Sequence, residues 1–264
     1  MESFKDICHR VGLLARTVGR DLTEKRNAGF GIEAKGHNDF VTDLDRYSER
    51  CLVAGLESIL PQAGFIAEEG TRTQQAERLN WIVDPIDGTT NFIHNSAPFA
   101  ISIGLQCDGQ MVVGVVYEMG RDELFAATLG GGATLNGRPI ATSAARRVDD
   151  ALVATGFPYS NFDRLEQYNR ALDTFVRRSH GVRRYGSAAT DLAYVACGRF
   201  DCFFEYDLKP YDVAAGSLLV TEAGGRVSDF AGGSGYLFGR EMVASAPALY
   251  PEFLQIISQS FGAQ

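Results

Sequence analysis

Residues 81 to 92 read WIVDPIDGTTNF, and their reading decides the fold and the chemistry. Trp81, Ile82 and Val83 have the aromatic and β-branched character of a buried strand. The strand is expected to end at Asp84, at the carboxyl end where open α/β sheets place ligands. Pro85 removes a backbone donor and fixes φ, while Gly88 permits a conformation closed to other residues. Such a turn can aim Asp84 and Asp87 at one point and leave the Ile86 carbonyl beside them. Oxygens converging in this way suit a hard divalent cation such as magnesium. Thr89 and Thr90 add hydroxyls and backbone N–H groups, which are donors to a phosphate. Asp, Pro, Gly and Thr are also ordinary turn residues, so the reading stands only if the chain supplies more carboxylates.

The bulk properties allow a large core. The chain has 264 residues, enough for one sizeable domain or two tightly joined lobes. Hydrophobic residues make up 45% and charged residues 22%, ordinary for a globular protein. A formal charge of −8 and a pI near 5.1 argue against a broad nucleic-acid surface, so no direct nucleic-acid partner is expected. One small basic patch remains, at Arg177, Arg178, Arg183 and Arg184. Cys8, Cys51, Cys107, Cys197 and Cys202 form no CxxC pair and have no histidine cluster beside them, which speaks against zinc and for free thiols. MESFKDICHR lacks the apolar run of a signal peptide, and no stretch is apolar for the 18 or so residues of a membrane span. A cytoplasmic protein with no membrane partner is the expectation.

Phe4, Ile7, Val11, Leu14, Val18 and Leu22 recur at helical steps and predict an amphipathic first helix. NAGFGIEAKGHND reads as a loop or short hairpin. Residues 42 to 60 read as a second helix, stopped by Pro61. GFIAEEG is a short strand. Residues 99 to 128 change character and predict an antiparallel meander turning at Asp108-Gly109. Gly130 to Gly132 lack a following GK[ST] and read as a turn. Residues 164–178, 187–197 and 211–223 read as helices, and GRFDCFFEY and RVSDF as strands. The division expected is an N-terminal α+β lobe over 1–150 carrying the metal-binding motifs and a C-terminal α/β lobe over 151–264 completing the site.

Further carboxylates are present. Glu68 and Glu69 follow the strand GFIA and precede Gly70. Asp212 opens a helix of small residues in KPYDVAAGSLLVTEAGG, where an acid also favours the helix dipole. Asp39, Thr42 and Asp45 sit in NDFVTDLD, which also reads as a helix cap. Together KGHNDFVTDLD, FIAEEG, WIVDPIDGTTNF and KPYDVAAGSLLVTEAGG resemble, in order and spacing, the signature blocks of the inositol monophosphatase family, and its bacterial inositol-1-monophosphatase branch most. The resemblance runs over about residues 5 to 250 and takes in FPYS and RRYGSAATDLAYVACGRFD. Tyr211 stands where the family often has tryptophan, a change expected on the packing side.

The resemblance implies a layered αβαβα sandwich of the inositol monophosphatase and fructose-1,6-bisphosphatase type. It implies two to three Mg2+ per site, held by Glu68, Asp84, the Ile86 carbonyl, Asp87 and Asp212. It implies hydrolysis of a phosphate monoester, foremost inositol 1-phosphate, by direct attack of a metal-activated water, with Glu68, Thr89 and Asp45 as catalytic residues. Physically, paired cations clamp the attacking and leaving oxygens of an in-line displacement. Gly88 and Thr89 backbone amides hold the phosphate in this reading, with Glu68, Ile86, Asp87 and Asp212 around it. Arg183, Gly186, Ser187, Ala188 and Glu205 contact the rest of the substrate. Sugar, histidinol and nucleotide 3′-phosphatases share the metal core and are the alternatives. The family also implies a homodimer and lithium sensitivity. A regulatory role as a partner of the transcription machinery is the reading from another class, with RRSHGVRR as a contact surface.

Overall fold

The computed structural model describes residues 3–29, 31–36, 39–158 and 161–262, with the main chain alone for 34–36 and 39–41. The side chain of Asp39, and Tyr159 and Ser160 of the FPYS block, lie outside that description.

The first helix, α1 (Phe4–Ala28), buries Ile7, Val11, Val18 and Leu22 as their spacing predicts. A hairpin of β1 (Ile32–Gly36) and β2 (Asp39–Thr42) follows. Next comes α2 (Asp43–Ile59), whose start is chemically explicit. The Thr42 hydroxyl accepts from the Leu44 and Asp45 amides at 3.1 and 3.2 Å, and Asp45 Oδ2 accepts from the Thr42 amide at 2.7 Å, a capping box.

A seven-stranded sheet is laid on these helices, in the order β3-β4-β5-β6-β7-β8-β9. Its strands are β3 (Gly64–Ala67), β4 (Leu79–Asp87), β5 (Ala100–Cys107), β6 (Gln110–Glu118), β7 (Glu123–Thr128), β8 (Gly132–Leu135) and β9 (Arg138–Pro139), with a short helix α3 (Thr89–Ile93) between β4 and β5. β3 and β4 are parallel, and the rest of the sheet is the antiparallel meander. The turn at Asp108-Gly109 has both residues at positive φ, as a two-residue hairpin turn requires. Gly130–Gly132 is a turn as well, its Gly130 and Gly132 amides donating to Glu222 at 2.8 Å.

The second sheet begins at β10 (Leu152–Thr155); α4 (Leu165–Arg178), β11 (Gly181–Arg183), α5 (Ala188–Ala196), β12 (Cys202–Tyr206), α6 (Pro210–Glu222), β13 (Arg226–Ser228), β14 (Glu241–Ser245) and α7 (Tyr250–Phe261) complete the chain. Its strand order is β11-β10-β12-β14-β13, with β10 parallel to both neighbours and β14 antiparallel to both of its own. Three cores separate the layers. One joins α1 and α2 to the first sheet, one encloses α5 and α6 between the sheets, and one joins α4 and α7 to the outer face of the second sheet. This is the expected αβαβα arrangement. The VAAGSLLV run of α6 is buried all round because both its faces meet a sheet, which explains a helix without a polar side.

Candidate active site

The strand does not stop at Asp84. β4 continues to Asp87, and its pairing with β5 jumps from Asp84–Ser102 to Asp87–Ala100, a bulge that absorbs Pro85 inside a sheet. The bulge, rather than a strand end, aims both aspartates. On the other side the parallel pairing with β3 ends at Ala67–Val83, and the Glu68 amide donates to the Val83 carbonyl at 3.2 Å. That register delivers Glu68 beside Asp84.

Asp84, Asp87 and Asp212 each bring a carboxylate oxygen within 4.8 Å of the others. Asp212 reaches them because α6 points its first turn at the bulge; its Oδ2 accepts from the Lys209 amide at 2.6 Å. The start of α6 is tied to β5 by the Ser102 hydroxyl, which donates to the Tyr211 carbonyl at 3.1 Å. Asp87 is held from α5: its Oδ2 accepts from the Ser187 hydroxyl and the Ala189 amide, both at 2.7 Å. Asp84 Oδ1 accepts from the Ile86 amide at 3.0 Å.

This cluster is electrostatically unfavourable by itself. Burial first, then repulsion from Glu68, Asp87 and Asp212, push the Asp84 carboxyl well above the carboxylate range. Burial, opposed by its hydrogen bonds, pushes Asp87 up to about 6. Burial and then the Asp87 charge push Asp212 up to about 7. Hard oxygen donors crowded in this way are the donor set that a divalent ion fits. Glu68, Asp84, Asp87, Asp212 and the Ile86 carbonyl can hold it.

Beside the cluster, Gly88 adopts φ 91° and caps α3. A Cβ there would stand 3.0 Å from the Gly186 carbonyl and 3.3 Å from that of Pro98, so glycine lets the two loops close on the site. The Thr89 hydroxyl lies 3.1 Å from Asp45 Oδ1 and 3.1 Å from the Ile86 carbonyl. Asp45 is buried, which raises its carboxyl against the opposing effect of the Thr42 and Thr89 hydrogen bonds. One residue thus caps α2 with one oxygen and meets Thr89 with the other.

These groups open into a cavity of about 210 Å³. Glu68, Asp84, Ile86, Asp87, Gly88, Thr89, Gly186, Ser187, Ala188, Glu205 and Asp212 of the sequence reading all line it. One expectation needs amendment. Arg183 does not line the cavity: it is exposed on β11, and its guanidinium donates to the Val182 carbonyl at 3.1 Å. The Arg184 charge is the one that acts on Glu205 and Asp191. The Ser187 hydroxyl is engaged with Asp87. Tyr211 packs against the core between the sheets, as expected, and also stands on the cavity wall.

Several residues were not found from the sequence. Glu49 of α2 is fully buried and accepts from the Glu69 and Thr71 amides at 2.7 and 2.6 Å, fixing the turn that carries Glu68. Gly156 follows β10, and a Cβ there would fall 2.1 Å from all three carboxyl atoms of Glu205. Asp207, Lys209 and Arg240 also stand on the cavity wall. A signal for Glu49 existed, a carboxylate on the apolar side of α2 next to Leu52 and Val53. The others depend on pairings remote in sequence.

A layered αβαβα fold whose carboxylates converge at a β-bulge defines a class of phosphatase. The chain belongs to it: residues 7–261 match the model of the inositol monophosphatase family. It is 42% identical over 243 residues to the Nus factor SuhB of Escherichia coli (strain K12), covering 91% of each chain. The extragenic suppressor protein suhB from Bartonella henselae superposes with a TM-score of 0.90 at 36% identity, over 95% of this chain and 98% of that one. The inositol monophosphatase from Anabaena (Nostoc) sp. PCC 7120 superposes at 0.85 with 33% identity, over 97% and 96%.

Proposed function

We propose that the protein is a magnesium-dependent phosphate monoester hydrolase whose substrate is inositol 1-phosphate. The observation that carries this reading is the convergence of Glu68, Asp84, Asp87 and Asp212 from three chain segments beside the Thr89–Asp45 pair, in one cavity. These carboxylates and the Ile86 carbonyl would hold two to three Mg2+, which when bound would supply Lewis-acid charge to the phosphate and to the attacking water.

The chain's own groups do the positioning and proton handling. The Thr89 hydroxyl has one proton, and when Asp45 accepts it the oxygen lone pairs are left to accept from water. Glu68, at the cavity wall, is a second acceptor for the water proton. The water oxygen bonds to phosphorus as the ester P–O bond breaks, and the alcohol departs with a proton from solvent. The Gly88 and Thr89 amides, at the start of α3, donate to phosphate oxygens. Glu205 accepts from a hydroxyl of the alcohol. No cysteine or serine is assigned as a nucleophile, since the Ser187 hydroxyl already serves Asp87.

The test is phosphate release from myo-inositol 1-phosphate, histidinol phosphate, fructose 1,6-bisphosphate and adenosine 3′,5′-bisphosphate side by side. Highest kcat/KM on inositol 1-phosphate is expected; a clear preference for another ester reassigns the substrate. The reading also carries inhibition by lithium, a homodimer in sedimentation and a cytoplasmic location. Among the described residues no helix is long and apolar enough to cross a membrane.

A second role is favoured by the names of relatives. Proteins 42% identical to this chain are called Nus factor SuhB, which fits a partner of the transcription machinery. Within 177–184, Arg177 pairs with Asp173 and Arg178 with Asp149 and Glu252, so much of that basic charge is already matched. Pull-down of transcription proteins from cell extract by wild type and by Asp87→Asn alike would support this role, and their absence would remove it.

A further inference from the structure

Asp207 and Arg240 face each other just beyond the last pair of β12 and β14, Tyr206 with Glu241. Both hold left-handed backbone, at φ 70° and 66°. Non-glycine residues reach that region at a cost, and such outliers gather at ligand clamps. The Asp207 amide donates to the Arg240 carbonyl at 2.7 Å, and the Arg240 guanidinium donates to the Asp207 carboxylate. Among the described residues this is the one side-chain hydrogen bond of Arg240. The Asp207 side chain is 10% exposed and that of Arg240 48%, so the pair is anchored at its acidic end and open at its basic end. Both stand on the cavity wall that also holds Glu205.

We infer that Arg240, oriented by Asp207, is a specificity-determining residue that donates to a hydroxyl on the alcohol part of the substrate. This rests on the phosphatase reading above and assigns a residue to its recognition of the alcohol. A guanidinium only donates and a carboxyl group offers oxygen acceptors, whereas a hydroxyl does both. Arg240 and Glu205 on one wall therefore match neighbouring hydroxyls of a polyol. Glu205 keeps its place because Gly156 leaves room for its carboxyl. Among the described residues a second phosphate finds no free cation at the alcohol end. Of the two basic residues on the cavity wall, Arg240 is already paired with Asp207, and Lys209 stands beside Asp212.

The experiment measures kcat/KM for myo-inositol 1-phosphate and for phenyl phosphate, which has no hydroxyl, with the full chain in magnesium. In Arg240→Ala the ratio of the two should fall about tenfold, chiefly through KM for the inositol ester, because a site built to hydrogen-bond a hydroxyl discriminates by that bond. Arg240→Lys, which keeps the charge and loses the fork, should give an intermediate ratio and decides the matter if the alanine variant does not fold. Asp207→Asn should raise use of fructose 1,6-bisphosphate relative to inositol 1-phosphate. An unchanged ratio in both Arg240 variants, with active wild type, overturns this inference alone. Wild type inert on both esters and on the other three phosphates of the side-by-side test overturns the phosphatase reading and this inference with it.

Discussion

The Thr89 hydroxyl donates to Asp45 Oδ1 at 3.1 Å, joining the capped start of α2 to the turn after the β4 bulge. The other oxygen of Asp45 is committed to Thr42, whose amide and hydroxyl donate to it at 2.7 and 2.6 Å. The aspartate is therefore fixed by the helix start and can orient Thr89 without moving. Thr89→Val, close in shape but without the hydroxyl, should lower kcat by about 10²–10⁴-fold, the usual share of proton transfer by a positioned group. Thr89→Ser should keep most of the activity. A near-normal kcat in the valine variant would take Thr89 out of the proton path.

Glu49 acts one step further back. Its carboxylate oxygens each accept one amide of the 68–71 turn, so Glu49→Gln turns one acceptor into a donor facing an N–H. We expect a loss of about 1–3 kcal/mol in unfolding free energy, the cost of an unsatisfied buried group. Magnesium affinity should fall with it, since the turn carries Glu68. Calorimetric unfolding with and without the ion checks both, and lost stability with unchanged affinity would confine Glu49 to folding.

How much of this was legible beforehand follows from range of interaction. The α1 and α2 faces, the meander and its Asp108-Gly109 turn are local patterns, and they stand where periodicity placed them. The bulge at Asp84–Asp87 was not legible, because a strand that continues through Pro85 looks like one that ends there. β10, β14 and α7 were missed: LVAT and EMVAS are too short for a period to separate strand from coil. Arg240 meets Asp207 only through the β12–β14 pairing, across 33 positions. Arg183 and Arg184 are neighbours in sequence, and only the fold tells which one approaches Glu205.

Gly156→Ala offers a way to displace Glu205 without altering its charge. The added methyl would need the space of the Glu205 carboxyl, which is the movable end of a side chain. KM for inositol 1-phosphate should rise on the order of tenfold while kcat falls less, the pattern of lost substrate binding. Equal loss in kcat and kcat/KM would place the effect in the chemistry instead.

The acidic cluster also sets a pH dependence. With Asp87 at about 6 and Asp212 at about 7, the metal-free fold retains protons that the unfolded chain releases near its ordinary carboxylate range. Its stability should therefore fall as pH rises from the ordinary carboxylate range up to about 6 to 7, and level off above that. Magnesium needs the deprotonated carboxylates and binds more tightly over the same interval. The rise in Tm caused by saturating magnesium should be larger at about pH 8 than at about pH 5. An equal or opposite difference would separate the ion from these aspartates.

Asp87 bears most directly on the magnesium hub, since Ser187 and Ala189 hold its Oδ2 and fix the carboxylate beside Asp84 and Asp212. The decisive measurement is phosphate release from inositol 1-phosphate against magnesium concentration for wild type and Asp87→Asn. Wild type should be inactive after chelation and rise to a plateau with added ion. The variant should fold and remain lower by on the order of a hundredfold at saturating magnesium, because electrostatic clamping is usually the largest catalytic contribution. Full turnover by chelated wild type, or near-normal turnover by the variant, would contradict a phosphatase built on this cluster.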